Sequence, residues 1–193
     1  MQAQPKLELA IDSIRLRFGS QALTRAGELP PPAPWRSGTL VDNLTGIGGL
    51  PRGRLSLLTG SGTCGKLSVA FALLASATRE LAHAIVIDGG GFDPTWLLPF
   101  SPEPGALTIV RAPAPEIAGE AAAALARAGA GFLLLMCEIP EHWLGPLESG
   151  ANRSGSVMVG VIDAPNRGLA HASSFSLGFS RRGWMWEREQ LVG

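Results

Sequence analysis

Apolar residues along the chain occur in two patterns, short continuous runs and longer stretches with helical spacing. Short runs of this length are typical of strands buried on both faces, and Ala- and Leu-rich stretches between them indicate helices. Strands are predicted at residues 54–59, 83–87, 106–110, 132–137 and 156–162. Helices are predicted at residues 66–80, 93–100, 115–129 and 140–147. This alternation predicts an α/β fold with a mostly parallel central sheet flanked by helices.

The C-terminal part of the chain alternates apolar and polar residues over 173–179 and 184–188. A turn-like Arg-Arg-Gly sequence lies between these stretches, so we expect an antiparallel hairpin that closes the sheet. Its basic and aromatic residues form a candidate partner-binding patch: Arg181, Arg182, Trp184 and Trp186. The two tryptophans share one strand face, which suits either a protein partner, stacked single-stranded DNA, or burial at the sheet edge.

The N-terminal part of the chain has the pattern of a separate helical arm. Apolar residues recur at helical spacing at Leu7, Ile11, Ile14 and Phe18, and a Pro-rich segment follows. We therefore expect an arm at residues 1–30 and a core domain at residues 31–193. An isolated helix this short is only marginally stable. We therefore expect its apolar face to be buried against a neighbouring subunit, a partner protein or the chain's own core.

Composition excludes several classes of protein. The 193 residues have a formal net charge of zero, and only 17% of them are charged, which excludes a disordered charged tail protein. A strong DNA-binding protein usually has an excess of basic residues, and this chain has none. The two cysteines and three histidines lack metal-site spacing, so no metal site is predicted. No apolar run is long enough to span a membrane, and the first residues lack a signal-peptide core, so we expect a cytoplasmic protein.

A Gly-rich loop between the first strand and the next helix carries the candidate chemistry. Its sequence GSGTCGK matches the phosphate-binding pattern G-x-x-x-x-G-K, but Leu67 follows where a magnesium-binding hydroxyl is expected, and Ser68 is one residue late. The candidate nucleotide-binding residues are Gly60, Ser61, Gly62, Thr63, Cys64, Gly65, Lys66, Leu67 and Ser68. We expect either ATP or ADP bound without hydrolysis, or no nucleotide.

The same loop also fits a second pattern. Gly60, Gly62 and Gly65 form G-x-G-x-x-G, and Asp88 ends the next strand at the distance typical of dinucleotide-binding folds. A dinucleotide-binding enzyme is therefore an alternative, and a Gly-rich turn that binds nothing is another.

Carboxylates that ATP hydrolysis needs are missing from the expected positions. A metal-binding Asp is expected after the strand at 132–137, but Cys137 stands there and Glu138 is displaced by one residue. The second strand ends in Asp88 followed by three glycines, with no Glu. No catalytic residue is therefore assigned.

Several segments together resemble the core of bacterial RecA-type recombinases. The most specific is GIGGLPRGR, which leads into the loop, and IDGGGFDP resembles the strand and loop that follow the next helix. The resemblance implies a RecA-like P-loop core, with an oligomerising helix in the N-terminal arm. It places the family's catalytic Glu at Gly90, its metal-binding Asp at Cys137 and its nucleotide-sensing Gln near Asp163.

In size and in these substitutions the chain is similar to the ImuA family, RecA-like accessory proteins of the bacterial translesion mutasome. This similarity implies a non-catalytic adaptor in the DNA-damage response and translesion synthesis. It also implies that such an adaptor would bind RecA and/or an ImuB-type polymerase homologue and self-associate through the arm. Its DNA contact would be weak or indirect, and it would reach the nucleoid through its partners. The alternatives are an active P-loop ATPase of recombination and repair, and the dinucleotide-binding enzyme.

Overall fold

A computed structural model of the protein describes residues 4–19 and 32–181. The chain divides into two units, Met1–Pro32 and Ala33–Gly193. In the first unit, helix α1 spans Gln4–Phe18, which confirms the predicted arm helix. Ile14 and Phe18 are exposed on α1 and Ile11 is half-buried, while the side chain of Leu7 lies outside the described part of the structure. The role of this apolar face in binding a partner stays a prediction.

The second unit contains a parallel sheet, because every strand pairing in it is parallel. Its described strands are β1 Leu55–Thr59, β2 Ala84–Asp88, β3 Leu107–Arg111, β4 Phe132–Met136, β5 Val157–Ile162 and β6 Ser173–Gly178. They lie in the order β3-β2-β4-β5-β1-β6. The first strand in sequence is thus near one end of the sheet, beside the last two strands.

Helices cover both faces of this sheet, as the alternating sequence pattern predicts. Their bounds are α2 Val41–Leu44, α3 Lys66–Glu80, α4 Pro115–Ala128, α5 Glu141–Ser154 and α6 Arg167–Ala172. The predicted helix at 93–100 is a 3-10 helix over Pro94–Phe100. Asp93 caps it by accepting a hydrogen bond from the Thr95 backbone N–H at 2.9 Å, and this bond lowers the pKa of Asp93.

Two hydrophobic cores lie on opposite faces of the sheet, and β4 contributes to both. Phe132 and Leu134 pack towards α3, whereas Leu133 and Leu135 pack towards α4, α5 and α6. Successive side chains of a strand point to opposite faces, so a strand with helices on both sides is apolar at every position. This explains the continuous apolar run in the sequence.

The expected C-terminal hairpin stays a prediction, because only its first strand lies within the described residues, but that strand does not extend the sheet in antiparallel fashion. β6 pairs with β1 in parallel, because the connection from β5 passes through α6 and returns the chain to the same end of the sheet on the far side of β1. The second expected strand, with Arg182, Trp184 and Trp186, lies outside the described residues.

Helix α5 is longer than the sequence predicts. It continues past residue 147 to Ser154, with Pro146 inside it, and ends at Gly155, whose φ of 74° is the left-handed conformation that closes many helices. Close contact with α4 stabilises it: a Cβ on Gly119 of α4 would lie 2.4 Å from Trp143, and one on Gly150 would lie 2.9 Å from Arg127. Tertiary packing therefore overrides the low helix propensity of this segment.

No helix in the described ranges combines the length and the apolar character that crossing a membrane would require.

Candidate functional site

The Gly-rich loop lies at the carboxyl end of β1, where open α/β sheets bind their ligands. Gly60 follows β1 directly, and α3 begins at Lys66. A Cβ on Gly60 would lie 2.4 Å from the carbonyl oxygen of Phe179 and 2.8 Å from Cys64 Sγ. Its φ of 150° also disfavours any other residue. The loop is thus pressed against the chain that leaves β6, and only glycine fits at its first position.

The rest of the loop surrounds an open cavity of about 330 Å³ at the N-terminus of α3. Gly62 and Gly65 have φ values of 61° and 94°, which turn the backbone around this space. Backbone N–H groups at a helix N-terminus favour anions such as phosphate. The predicted loop residues that line the cavity are Gly62, Thr63, Gly65, Lys66, Leu67 and Ser68. Gly60, Ser61 and Cys64 are not among the residues that line it.

Lys66 is buried and its ammonium group faces back into the protein. It donates hydrogen bonds to the carbonyl oxygen of Gly60, to the carbonyl oxygen of Ile162 at 3.3 Å, and to the carboxylate of Asp163, with which it forms an ion pair. An ammonium has three N–H donors, so all of them are used.

The position after Lys66 offers no metal ligand. Leu67 is exposed beside the cavity and supplies no hydroxyl, in agreement with the sequence. Ser68 is also exposed and contributes to a second, apolar cavity next to the loop as well. A hydroxyl directly after the lysine is the usual magnesium ligand of a P-loop, and Leu67 cannot replace it.

The end of β4 also lacks a metal-binding carboxylate. Burial, and secondarily the nearby negative charge of Asp88, raise the pKa of the Cys137 thiol to about 12. The group is therefore a neutral thiol at physiological pH, whereas Mg²⁺ prefers oxygen ligands. Glu138 is exposed, and Gly90 has no side chain to position a water molecule. Over residues 4–19 and 32–181, no three His, Cys, Asp or Glu residues are grouped to hold a metal ion.

Asp88 stabilises the turn after β2, and both of its carboxylate oxygens have partners within the protein. Its side chain is 1% exposed, and its Oδ1 accepts hydrogen bonds from the backbone N–H groups of Gly90 at 3.0 Å and Phe92 at 3.2 Å. Its Oδ2 is paired with Arg111. In a dinucleotide fold the strand that carries this acid lies next to the loop strand. Here β4 and β5 separate β2 from β1, so the dinucleotide interpretation is wrong.

Arg181 lies at the loop, a position that the sequence did not indicate. Its guanidinium group donates a hydrogen bond to Thr63 Oγ1 at 3.2 Å. The chain after β6 is fixed there because the Phe179 backbone N–H donates to the Thr59 carbonyl oxygen at 2.7 Å. A residue predicted for partner binding thus contacts Thr63, which lines the candidate nucleotide site.

An apolar surface lies beside the loop, and the sequence analysis missed it. Leu40 and Leu44 on and before α2 are 81% and 58% exposed, and they border an apolar cavity of about 330 Å³ together with Val69, Leu177 and Phe179. We call these five residues the α2 surface. Large exposed apolar side chains grouped around a groove are typical of protein interaction sites. No periodic pattern in the sequence marks these residues, because they come from three separate segments.

Comparison with known proteins identifies relatives of this chain. The family model of the RecA N-terminal domain matches residues 5–139. Protein RecA of Chlorobium limicola is 32% identical over 130 residues, which cover 65% of this chain and 37% of the relative. Protein RecA of Mycolicibacterium gilvum is 35% identical over 134 residues, which cover 67% of this chain and 38% of the relative.

Protein RecA of Oceanobacillus iheyensis is 34% identical over 134 residues, with 67% of this chain and 39% of the relative covered. The matched region thus spans under half the length of each of these relatives. The region that the family model matches includes the Gly-rich loop, strand β4 and the turn after β2, whereas β5 and Asp163 lie beyond residue 139. The parallel sheet, the P-loop at the end of β1 and the matched residues together show that this chain belongs to the RecA N-terminal domain family.

Proposed function

We propose that this protein is a RecA-like adaptor in bacterial DNA repair that binds partner proteins and does not hydrolyse ATP. Its relatives are named Protein RecA, and RecA-type proteins act in DNA recombination and repair, which places the proposal in that field. The observation that carries the proposal is the position of Cys137, a thiol and not a carboxylate, directly after β4, where the resemblance places the family's metal-binding Asp.

Catalysis of ATP hydrolysis depends on a metal clamp and on a group that positions the attacking water. The positions that supply them in the family hold Leu67, Gly90 and Cys137 here. An aliphatic chain, a missing side chain and a neutral thiol provide neither magnesium ligands nor a base. Losing all three functions together leaves a loop with the shape of a P-loop and without its chemistry.

The α2 surface supports the binding half of the proposal. Its exposed leucines and its groove offer an apolar site to a protein partner, and it lies beside the loop. Following the similarity to the ImuA family, we propose RecA and/or an ImuB-type polymerase homologue as the partner, with self-association through α1. In this proposal the protein works in the cytoplasm and reaches the nucleoid and DNA through these partners, during translesion synthesis of the damage response.

The catalytic half is tested by measuring phosphate release from ATP with Mg²⁺, with and without single-stranded DNA. We expect the full chain to release no more phosphate than its Lys66→Ala variant. ATP turnover that depends on Lys66 would contradict the proposal and would favour an active ATPase. This is the second candidate function, because Lys66 and the cavity of the loop are present.

The binding half is tested with the same chain by measuring its affinity for RecA and for an ImuB-type polymerase homologue. We expect Leu40→Asp and Leu44→Asp to weaken binding by roughly ten-fold or more, since a charge in an interface core must be desolvated. Ile117→Asp is the matched control, because Ile117 is half exposed on α4, away from the α2 surface. Equal losses in all three variants, or binding by none of the proteins, would contradict the proposal.

A further inference from the structure

The pairing of β1 with β5 brings Asp163 to the start of the Gly-rich loop. Thr59 and Ile162 are partners at the ends of these parallel strands. The next residue of each strand therefore emerges at the same edge of the sheet, and the Gly60 backbone N–H donates a hydrogen bond to the Asp163 carbonyl oxygen at 3.1 Å. This bond fixes the backbone of Asp163 beside the loop, within reach of Lys66.

The carboxylate of Asp163 then takes the charge that a P-loop lysine offers to a phosphate. Lys66 pairs with this carboxylate and uses its two remaining N–H donors on the carbonyl oxygens of Gly60 and Ile162. A P-loop lysine binds the β- and γ-phosphates of a nucleotide as a point charge. In this structure, a phosphate can contact Lys66 only after one of these acceptors is displaced.

The two partners differ in their freedom to move. The Lys66 side chain is 8% exposed, while the Asp163 side chain is 77% exposed. Asp163 is therefore the partner that can turn into water when another anion arrives, and Lys66 stays in place.

We propose that Asp163 is an internal counter-ion that competes with the phosphates of nucleoside diphosphates and triphosphates for Lys66, and so limits the affinity of the loop for them. The inference goes beyond the adaptor function, because it concerns nucleotide affinity and holds with or without hydrolysis. Two effects act in the same direction: the ion pair must break before a phosphate binds Lys66, and the carboxylate repels the bound phosphates.

The test is isothermal titration calorimetry of the full chain with ADP, with ATP and Mg²⁺, and with pyrophosphate. We expect Asp163→Asn to bind each of these roughly ten-fold more tightly than the unmodified chain, since it removes the ion pair and the repulsion together. The exposure of Asp163 makes this variant compatible with the fold, and circular dichroism spectra check that it is unchanged.

Glu138→Gln is the matched control. Glu138 and Asp163 line the same cavity at the ends of β4 and β5, and Glu138 is exposed, so this variant removes an equal charge without touching Lys66. We expect its affinity to stay within about two-fold of the unmodified chain. A gain as large as that of Asp163→Asn would show a general charge effect and would overturn the proposal.

A double-variant cycle isolates the contact between the two residues. In a Lys66→Ala background, or Lys66→Met if the first variant does not fold, we expect Asp163→Asn to give less than half of its logarithmic gain in affinity. An undiminished gain would overturn the proposal, as would unchanged or undetectable binding by Asp163→Asn itself. None of these measurements depends on ATP turnover or on affinity for a partner protein. Failure of this proposal is therefore distinguishable from failure of the proposed adaptor function.

Discussion

Asp88 offers a sharp test of how much its hydrogen bonds and its ion pair stabilise the turn after β2. Its two oxygens have separate tasks: Oδ1 accepts the backbone N–H groups of Gly90 and Phe92, and Oδ2 pairs with Arg111. Asp88→Asn retains the oxygen that serves the backbone and loses only the ion pair. Asp88→Ala loses both, so the difference between the two variants measures the two backbone hydrogen bonds.

The magnitudes follow from burial. The N–H of Phe92 is buried, and leaving it without an acceptor costs about 2 kcal/mol. The N–H of Gly90 is part-buried and regains water, so its bond contributes about 1 kcal/mol. The guanidinium group of Arg111 is more than half exposed, which limits the ion pair to about 1 kcal/mol after screening. We expect losses of about 4 kcal/mol for Asp88→Ala and about 1 kcal/mol for Asp88→Asn.

Urea denaturation followed by circular dichroism measures both losses as shifts of the midpoint at constant slope. Trp96 contacts the ring of Phe92, so it contributes to the change in tryptophan fluorescence together with the other four tryptophans of the chain. Equal losses in the two variants would refute the reasoning, because the backbone bonds would then contribute nothing. A loss below about 1 kcal/mol for Asp88→Ala would refute it as well.

Two further predictions concern the loop and the end of β4. Gly60→Ala should lower the free energy of unfolding by about 2 kcal/mol or more, because the new Cβ meets the Phe179 carbonyl oxygen. Gly62→Ala has open space around it and should lower the free energy of unfolding by only about 1 kcal/mol, the cost of a left-handed backbone at alanine. Similar losses in the two variants would contradict the predicted clash at Gly60. Cys137, with its pKa raised to about 12, should resist iodoacetamide in the native protein at pH 8 and react with it in urea. Labelling of the native protein should increase only as the pH approaches 12. Mass spectrometry measures the labelling, and equal rates for the native and the unfolded protein would contradict the prediction.

The fold could be predicted from the sequence where local pattern and tertiary environment agree. The helix at 66–80 has the predicted bounds, because its loop, its apolar spacing and the following strand all indicate the same limits. The end of α5 could not be predicted, since Pro146 and Gly150 disfavour a helix locally and tertiary packing, including the close contact with α4, stabilises it. The direction of β6 is set by the connection through α6, which carries the chain across β1 to its far side. The alternation of apolar residues in β6 does not specify this connection.

The candidate site divides in the same way. The loop and its missing hydroxyl are local in sequence, so Lys66 and Leu67 were identified from the pattern alone. The pairing of Lys66 with Asp163 and of Thr63 with Arg181 joins residues about a hundred positions apart. Such contacts follow from strand order and register, and a parallel order such as β5-β1-β6 cannot be derived from strand positions without the crossovers.

The position of β1 in the sheet also has a consequence for how the protein is made. Among the described strands, β1 leaves the ribosome first and pairs with β5 and β6, which are the last two, whereas β2, β3 and β4 pair among themselves earlier. Until residues beyond 156 are synthesised, the apolar β1 has no strand beside it, and such non-local pairing is slow and prone to aggregation. A chain that stops in this region would therefore contain three paired strands, β3-β2-β4, which are half of the described sheet, together with an unpaired β1 that promotes aggregation.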